Sequence, residues 1–134
     1  AVPYPEGYRN WFHVTSRVNL TGSEPESAVG FHHVYANEKA RAGLDSGKFE
    51  DGSVLVLDRF KYLEGEDKTL NEGERKVLAV MLKDAAKFQD TGGWGFEGFK
   101  GGEPSQRVVK DAKACFACHI PFETQGFVIS RPHK

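Results

Sequence analysis

The sequence predicts an α+β domain in which an antiparallel β-sheet carries a few short helices. Six separate segments have the β-branched and aromatic content of strands, and several end at Gly- or Asp-containing turns. The chain has 15 glycines in 134 residues, and each interior glycine costs a helix about 1 kcal/mol, so a helical bundle is disfavoured. No internal repeat or low-complexity linker divides the chain. We therefore expect one domain over residues 1–134.

The first half of the chain gives the clearest strand signals. Asn37 has the residue type of a helix N-cap and predicts a short helix over residues 38–44. The remaining segments before residue 63 are rich in valine, leucine and aromatic residues. Predicted strands are residues 11–20, 31–35 and 53–62.

Residues 74–88 allow two interpretations. Asn71 and Glu74 have the spacing of a capping box, and the apolar residues that follow fit a helical stripe. Residues 77–82, however, are an unbroken apolar run of strand length. Periodicity alone does not distinguish a buried strand from a buried helix here.

The C-terminal third predicts two more strands around a helix. Residues 94–99 alternate large and small side chains after a Gly-containing turn, and residues 127–130 offer a last strand. Pro104 is placed to begin a helix that continues into residues 115–119.

The segment Cys115-Phe116-Ala117-Cys118-His119 is the attachment motif of a c-type haem. Its two thiols form thioethers with the porphyrin vinyl groups, and the following imidazole ligates the iron. The chain has two cysteines in all, and both lie in this motif. We therefore predict one covalent haem c per chain, with Cys115, Cys118 and His119 as its ligands and His119 as the metal ligand.

Two other chemistries for this motif, and one other fold that carries it, are less favoured. A redox dithiol needs no adjacent histidine and normally lies in a thioredoxin-like βαβ pattern, which is not found here. A zinc site needs a second ligand pair, and the remaining histidines do not have that spacing. Four-helix cytochromes c prime also carry the motif near the C-terminus, but the glycine count disfavours their fold.

Composition limits the partners and the location. The formal net charge of −1 gives no electrostatic case for nucleic acid or an anionic membrane. No apolar run approaches the ~20 residues of a membrane span. The chain begins at Ala1 without an apolar leader, which we interpret as a mature form after signal removal. Because c-type haem is attached outside the cytoplasm, we expect a bacterial periplasmic protein.

Six ordered motifs resemble the cytochrome c′-beta proteins and the closely related cytochromes P-460. The match runs over nearly the whole chain. The motifs are residues 8–11 (YRNW), 33–37 (HVYAN), 51–56 (DGSVLV), 80–85 (VMLKDA), 92–99 (GGWGFEGF) and 115–119 (CFACH).

This resemblance implies a homodimer with one haem per subunit, residues around Val80 in a strand, and a five-coordinate iron with an open distal side. The oxidising branch carries a lysine that is bonded to the porphyrin edge. The equivalent position here is Leu57, with Lys61 four residues further on as the alternative. An alkyl side chain cannot form this crosslink, so the resemblance favours the c′-beta branch.

The distal pocket has two candidate residues besides Leu57. An arginine of the oxidising branch falls at His32, or at Phe31 after a one-residue gap. For His33 as for His32, a structural role in the strand is favoured over a role in the pocket, since a strand directs only one of this histidine pair inward.

The first functional hypothesis is binding of nitric oxide, and of carbon monoxide, at an apolar distal pocket, with release of His119 on nitric oxide binding. The second is an enzyme that oxidises hydroxylamine or nitric oxide, for which Glu97 and Lys61 are the nearby polar residues. The third is an electron carrier, in which Met81 or His32 would supply a sixth ligand. A redox partner protein is a further expected partner.

Overall fold

The structure, a computed structural model, describes residues 1–130 and contains one five-stranded antiparallel sheet with short helices. The strands pair in chain order, β1 to β5. This arrangement confirms the predicted α+β class. The strands are β1 (Phe12–Asn19), β2 (Gly30–Ala36), β3 (Val54–Glu64), β4 (Leu70–Lys83) and β5 (Trp94–Lys100). The helices are α1 (Glu38–Ser46) and α2 (Ala112–Ala117), with 3₁₀ turns at Tyr8–Asn10, Glu26–Ala28, Glu66–Lys68, Gln89–Thr91 and Ile120–Gln125.

The segment whose periodicity was ambiguous is the central strand β4. It pairs with β3 on one side and β5 on the other, so its backbone groups are bonded along both edges. Apolar neighbours also lie on both faces of the sheet, which explains the unbroken apolar run. Leu78 and Val80 are buried on one face, while Ala79 and Met81 are half-buried on the other.

Two predicted C-terminal elements were wrong. Residues 127–130 form no strand, because Gly126 and Phe127 have positive φ angles of 68° and 65° and make a turn. No helix begins at Pro104, because residues 107–108 lie along β5. Helix α2 begins later, and the Asp111 side chain accepts a hydrogen bond from the Lys113 amide at 3.0 Å. His133 lies outside the described residues.

The sheet has two differently covered faces. The helix face lies under α1, α2 and residues 126–128, and the N-terminal face lies under residues 2–11. Buried sheet residues of the helix face are Val14, Val34, Ala36, Leu55, Trp94 and Phe96. Those of the N-terminal face are Val56, Leu78, Val80 and Phe99. Within residues 1–130, no helix has the length and apolar character needed to cross a bilayer.

Candidate functional site: the helix face around His119

Helix α2 and the turn after it bring the two cysteines and His119 together. Cys115 is half-buried against the helix face, while Cys118 is exposed one turn later, and both are free thiols. The His119 amide donates to the Phe116 carbonyl at 2.8 Å, which continues the helical turn. Residues three and four positions apart lie on one side of a helical turn. The spacing therefore directs all three functional groups to the same side.

The His119 imidazole is oriented by the main chain. Its Nδ1 lies 2.8 Å from the carbonyl oxygen of Phe127. Since a carbonyl only accepts, Nδ1 carries the proton and Nε2 keeps a free lone pair. Burial lowers the pKa of His119, partly offset by the bond to Phe127. The neutral ring with a free Nε2 is the form that ligates iron.

Aromatic side chains fix the turn that carries the Phe127 carbonyl. The Trp94 indole Nε1 donates to the Gly126 carbonyl at 2.8 Å, and the rings of Phe116 and Phe127 lie 5.0 Å apart. Gly92, with φ of 66°, leaves room for both rings, because a Cβ there would lie 2.8 Å from each. The orientation of His119 thus depends on packing far from it in sequence.

An apolar shelf extends from His119 across the helix face. The Phe96 ring lies 5.2 Å from the His119 ring. Two residues further along β5, Gly98 is in register with Ala79, which in turn is in register with Leu57. We define the apolar shelf as Leu57, Val77, Ala79, Met81 and Phe96. Its β3 and β4 members are only half-buried.

The cysteines also differ in their electrostatic setting. Burial raises the pKa of the Cys115 thiol, and the nearby Asp111 carboxylate raises it further. Cys115 is therefore a protonated thiol at neutral pH rather than a thiolate. Within residues 1–130, no group of three His, Cys, Asp or Glu side chains is arranged to hold a metal ion, so the zinc interpretation gains no support.

The structure brings together only some of the residues predicted for the distal pocket. Leu57 and His32 both lie on the helix face, where His32 is opposite Arg59 and Val34 is opposite Leu57. Phe31 lies on the N-terminal face, stacked on His33 at 5.8 Å between ring centroids. Of the two alternatives, the structure places His32, and not Phe31, on the face of His119.

The polar residues considered for catalysis have other partners. Lys61 is 63% exposed and pairs with Glu74 at 3.3 Å. Glu97 accepts hydrogen bonds from the amides of Gly98 and Val109 and lies 3.3 Å from Arg107. Both side chains are therefore engaged by other groups of the chain, although Glu97 is near enough to Cys115 for its charge to raise the pKa of that thiol, after burial and Asp111.

Sequence analysis missed several residues that build this site. Phe96 and Trp94 were assigned only to a strand, although their shared parity within β5 placed them on one face. Arg59 was not considered, because its position opposite His32 depends on strand register. The Phe127 carbonyl gave no signal at all, since it is a main-chain group.

The residues present fit a covalently attached haem. Two thiols lie on one side of α2 and the turn after it, a neutral imidazole has a free Nε2, and a half-buried apolar shelf lies beside both. A flat apolar macrocycle would cover this shelf and remove its apolar area from water. Cys115 and Cys118 would hold the ring, and His119 would ligate the iron.

Comparison with known proteins agrees with this site. The family model described as Cytochrome P460 matches residues 5–130, which is nearly the whole chain. No curated protein matches the sequence. The family match includes the strands, α2 and the cysteine–histidine segment, and the family carries a covalently attached haem. The chain is therefore a member of the cytochrome P460 family and a haem cytochrome.

Proposed function

We propose that this protein is a periplasmic cytochrome with one haem c, which binds nitric oxide and carbon monoxide to scavenge, carry or sense nitric oxide. The observation that carries the proposal is the apolar character of the helix face beside His119. Leu57 and Ala79, which are in register on the apolar shelf, contribute no hydrogen-bond donor from their side chains. Their chemistry decides which gas is favoured.

An apolar pocket discriminates among diatomic ligands because its side chains provide no hydrogen-bond donor. Cys115, Cys118 and His119 would hold a haem whose iron would bind a small diatomic ligand, and the polarity of the surrounding side chains would tune its affinity. Bound oxygen gains stability from a hydrogen-bond donor, because its complex carries negative charge. Nitric oxide needs no such donor, so Leu57 favours it over oxygen.

The oxidising alternative requires a lysine bonded to the porphyrin edge. Leu57 has no nucleophile, and the neighbouring candidate Lys61 is paired with Glu74 at the surface. Glu97 is bound to the amides of Gly98 and Val109. These contacts favour gas binding over oxidation of hydroxylamine.

Titration of the reduced protein with nitric oxide tests the proposal. We expect a high-spin ferrous spectrum with an ordinary c-type Soret band, and a stoichiometric change on adding nitric oxide or carbon monoxide. Electron paramagnetic resonance of the nitric oxide complex shows whether His119 stays bound. A low-spin ferrous spectrum that neither gas changes would overturn the proposal. A red-shifted crosslinked chromophore would establish the oxidising alternative.

A matched pair of variants tests the role of Leu57 directly. Leu57→Gln places a hydrogen-bond donor on the apolar shelf and is expected to slow oxygen dissociation by about tenfold, the value of one hydrogen bond. Lys61→Gln changes the same strand at an exposed position and is expected to leave oxygen dissociation unchanged. Equal behaviour of the two variants would contradict a distal position for Leu57.

Location and assembly are parts of the same proposal. Attachment of haem c takes place outside the cytoplasm, which supports export to the periplasm, and fractionation of cells that produce the full precursor tests it. The homodimer implied by family resemblance is tested by analytical ultracentrifugation of the haem-loaded protein. A monomer at micromolar concentration would contradict it.

A further inference from the structure

A cluster of cationic side chains lies at the end of the helix face beyond Leu57. His32 on β2 is opposite Arg17 on β1 and opposite Arg59 on β3. Lys76 on β4 is close enough that its charge, like those of the two arginines, lowers the pKa of His32. We define Arg17, His32, Arg59 and Lys76 as the basic cluster.

The positive charges of this cluster have no carboxylate partner among residues 1–130. None of the ion pairs in that part of the chain includes Arg17, Arg59 or Lys76. Arg59 donates to the Ser27 carbonyl, and Lys76 donates to the carbonyls of Ser27 and Val29 at 2.6 and 2.9 Å. Burial lowers the pKa of both side chains, and the neighbouring cations lower it further. The cluster therefore combines partial burial with mutual repulsion.

Two buried nitrogen atoms in the cluster also lack hydrogen-bond partners. His32 is 6% exposed, and its Nε2 lies 2.7 Å from the Ala28 carbonyl, while its Nδ1 has no partner. The Nε–H of Arg59 is a buried donor with no acceptor. A buried polar group without a hydrogen-bond partner destabilises the folded state. Because Nε2 of the neutral His32 ring donates to the Ala28 carbonyl, its Nδ1 is an acceptor and does not call for an anion. The Arg59 Nε–H, which has no acceptor among residues 1–130, points to a ligand that brings oxygen lone pairs and negative charge.

The distance between His119 and the basic cluster fits an anionic ligand of the size of a haem. The row of Phe96, Met81 and Leu55 lies at His119, and Arg59 is four residues beyond Leu55 on β3. Four residues of a strand span about 13 Å. The apolar shelf lies between the two ends. A haem carries its propionates on the side of the ring away from the vinyl groups that cysteines bind.

We infer that the basic cluster binds the propionate carboxylates of the haem, with Arg59 as the central donor. This inference rests on the covalent haem and its attachment through Cys115 and Cys118. Cations paired with ionised carboxylates keep those carboxylates deprotonated, so the reduction potential stays independent of propionate protonation. Their positive charge also stabilises the ferrous state, which is the state that binds nitric oxide.

Reduction potentials across pH test the inference. The variants are Arg59→Gln, Arg59→Lys and the control Arg9→Gln, which removes an exposed arginine from the first 3₁₀ turn. All are made in a His32→Gln background, because His32 itself titrates near the cluster. Each protein is used in its haem-loaded form, and the midpoint potential is measured between pH about 5 and about 8.

Arg59→Gln is expected to lower the midpoint potential and to create a new pH-dependent rise as pH falls, because the unpaired propionate now takes up a proton in this range. Arg59→Lys is expected to restore most of the potential, and Arg9→Gln is expected to change neither quantity. A structural role of Arg59 alone would not create the pH-dependent step. Equal potentials and pH profiles for Arg59→Gln and Arg9→Gln would overturn the inference.

A soluble anion is the competing occupant of the cluster. Nitrite and phosphate are each titrated into the His32→Gln protein at constant ionic strength. We expect no saturable shift of the potential, because the propionates already occupy the cationic groups. A saturable shift that Arg59→Gln abolishes would assign the cluster to a free anion instead. Nitric oxide binding is measured on the same samples, so failure of the proposed function shows separately.

Discussion

Neighbouring residues of β3 carry opposite charges on opposite faces of the sheet, and within the described residues only one of these charges has an ion-pair partner. On the N-terminal face, Asp58 is 1% exposed, accepts hydrogen bonds from Arg75 at 2.8 and 3.3 Å, and accepts another from Tyr8 at 2.8 Å. On the helix face, Arg59 donates only to a carbonyl and keeps a buried Nε–H without an acceptor.

The apolar residues show the same contrast. On β4, Leu78 and Val80 of the N-terminal face are fully buried by the first eleven residues of the chain, while Ala79 and Met81 of the helix face are half-buried. The chain thus completes one face with its own N-terminal segment. The other face has the apolar area, the imidazole and the cations that suit a large anionic cofactor. The functional site follows from this asymmetry.

The largest loss of stability is expected on substitution of Asp58, the buried carboxylate that is paired with Arg75. Asp58→Ala leaves the Arg75 guanidinium and the Tyr8 hydroxyl without their acceptor, and the free energy of unfolding is expected to fall by about 3 kcal/mol. Urea denaturation of the haem-loaded protein measures it. Asp58→Asn, which keeps an acceptor oxygen, is expected to lose less.

Arg59→Gln is the matched substitution on the helix face. Since Arg59 has no carboxylate partner among residues 1–130, its removal is expected to cost clearly less than removal of Asp58, while changing the reduction potential. A loss of stability as large as that of Asp58→Ala would show that both faces are completed by the chain itself.

The next largest effect concerns the support of His119. Trp94→Phe removes the donor to the half-buried Gly126 carbonyl and part of a fully buried ring, and is expected to lower the unfolding free energy by about 2 kcal/mol. It should also weaken the His119–iron bond, which visible absorption during acid titration detects. The control is Trp11→Phe, because Trp11 is the other tryptophan of the chain and lies on the N-terminal face. An equal weakening of the iron bond in both variants would contradict this support.

Local sequence patterns predicted most strands but not how they are arranged. The β-branched and aromatic segments identified β1, β2, β3 and β5, and Asn37 identified the start of α1. The choice between helix and strand at β4 could be made only once the neighbouring strands were known, because Leu78 and Ala79 are both apolar but lie on opposite faces of the sheet. One packs in the core, and the other belongs to the shelf beside His119.

Side-chain parity and register account for the rest. The family resemblance left Phe31 and His32 as alternatives, and the pairing of His32 with Arg59 shows that His32 lies on the helix face. The positive φ of Phe127 is unusual for a residue with a large side chain, so the turn that orients His119 was mistaken for a strand. The cysteines and His119 were predictable because their chemistry lies in consecutive sequence.

A pH-dependent effect is expected from His32. Burial lowers its pKa below the unfolded value of 6.5, the Ala28 carbonyl opposes this, and Arg59, Arg17 and Lys76 lower it further. Below pH 6.5 the unfolded chain binds a proton that the folded chain resists, so stability falls as pH falls through that value. The haem-free wild type, which lacks the propionates that we place beside His32, is therefore expected to lose more unfolding free energy than haem-free His32→Gln between pH about 7.5 and about 5.5. Parallel curves would contradict a neutral, buried His32.

The smallest effect is expected at Met81, the residue that would supply a sixth ligand to an electron carrier. Met81 is half-buried on the helix face, in register with Leu55 and Phe96, and packs with the apolar core. Met81→Leu conserves volume and is expected to cost less than about 1.5 kcal/mol. Because thioether ligation to iron gives a low-spin spectrum, an unchanged high-spin ferrous spectrum in Met81→Leu would assign Met81 to packing. A change from low spin to high spin on this substitution would instead show that Met81 ligates the iron, and the helix face would then serve electron transfer rather than gas binding.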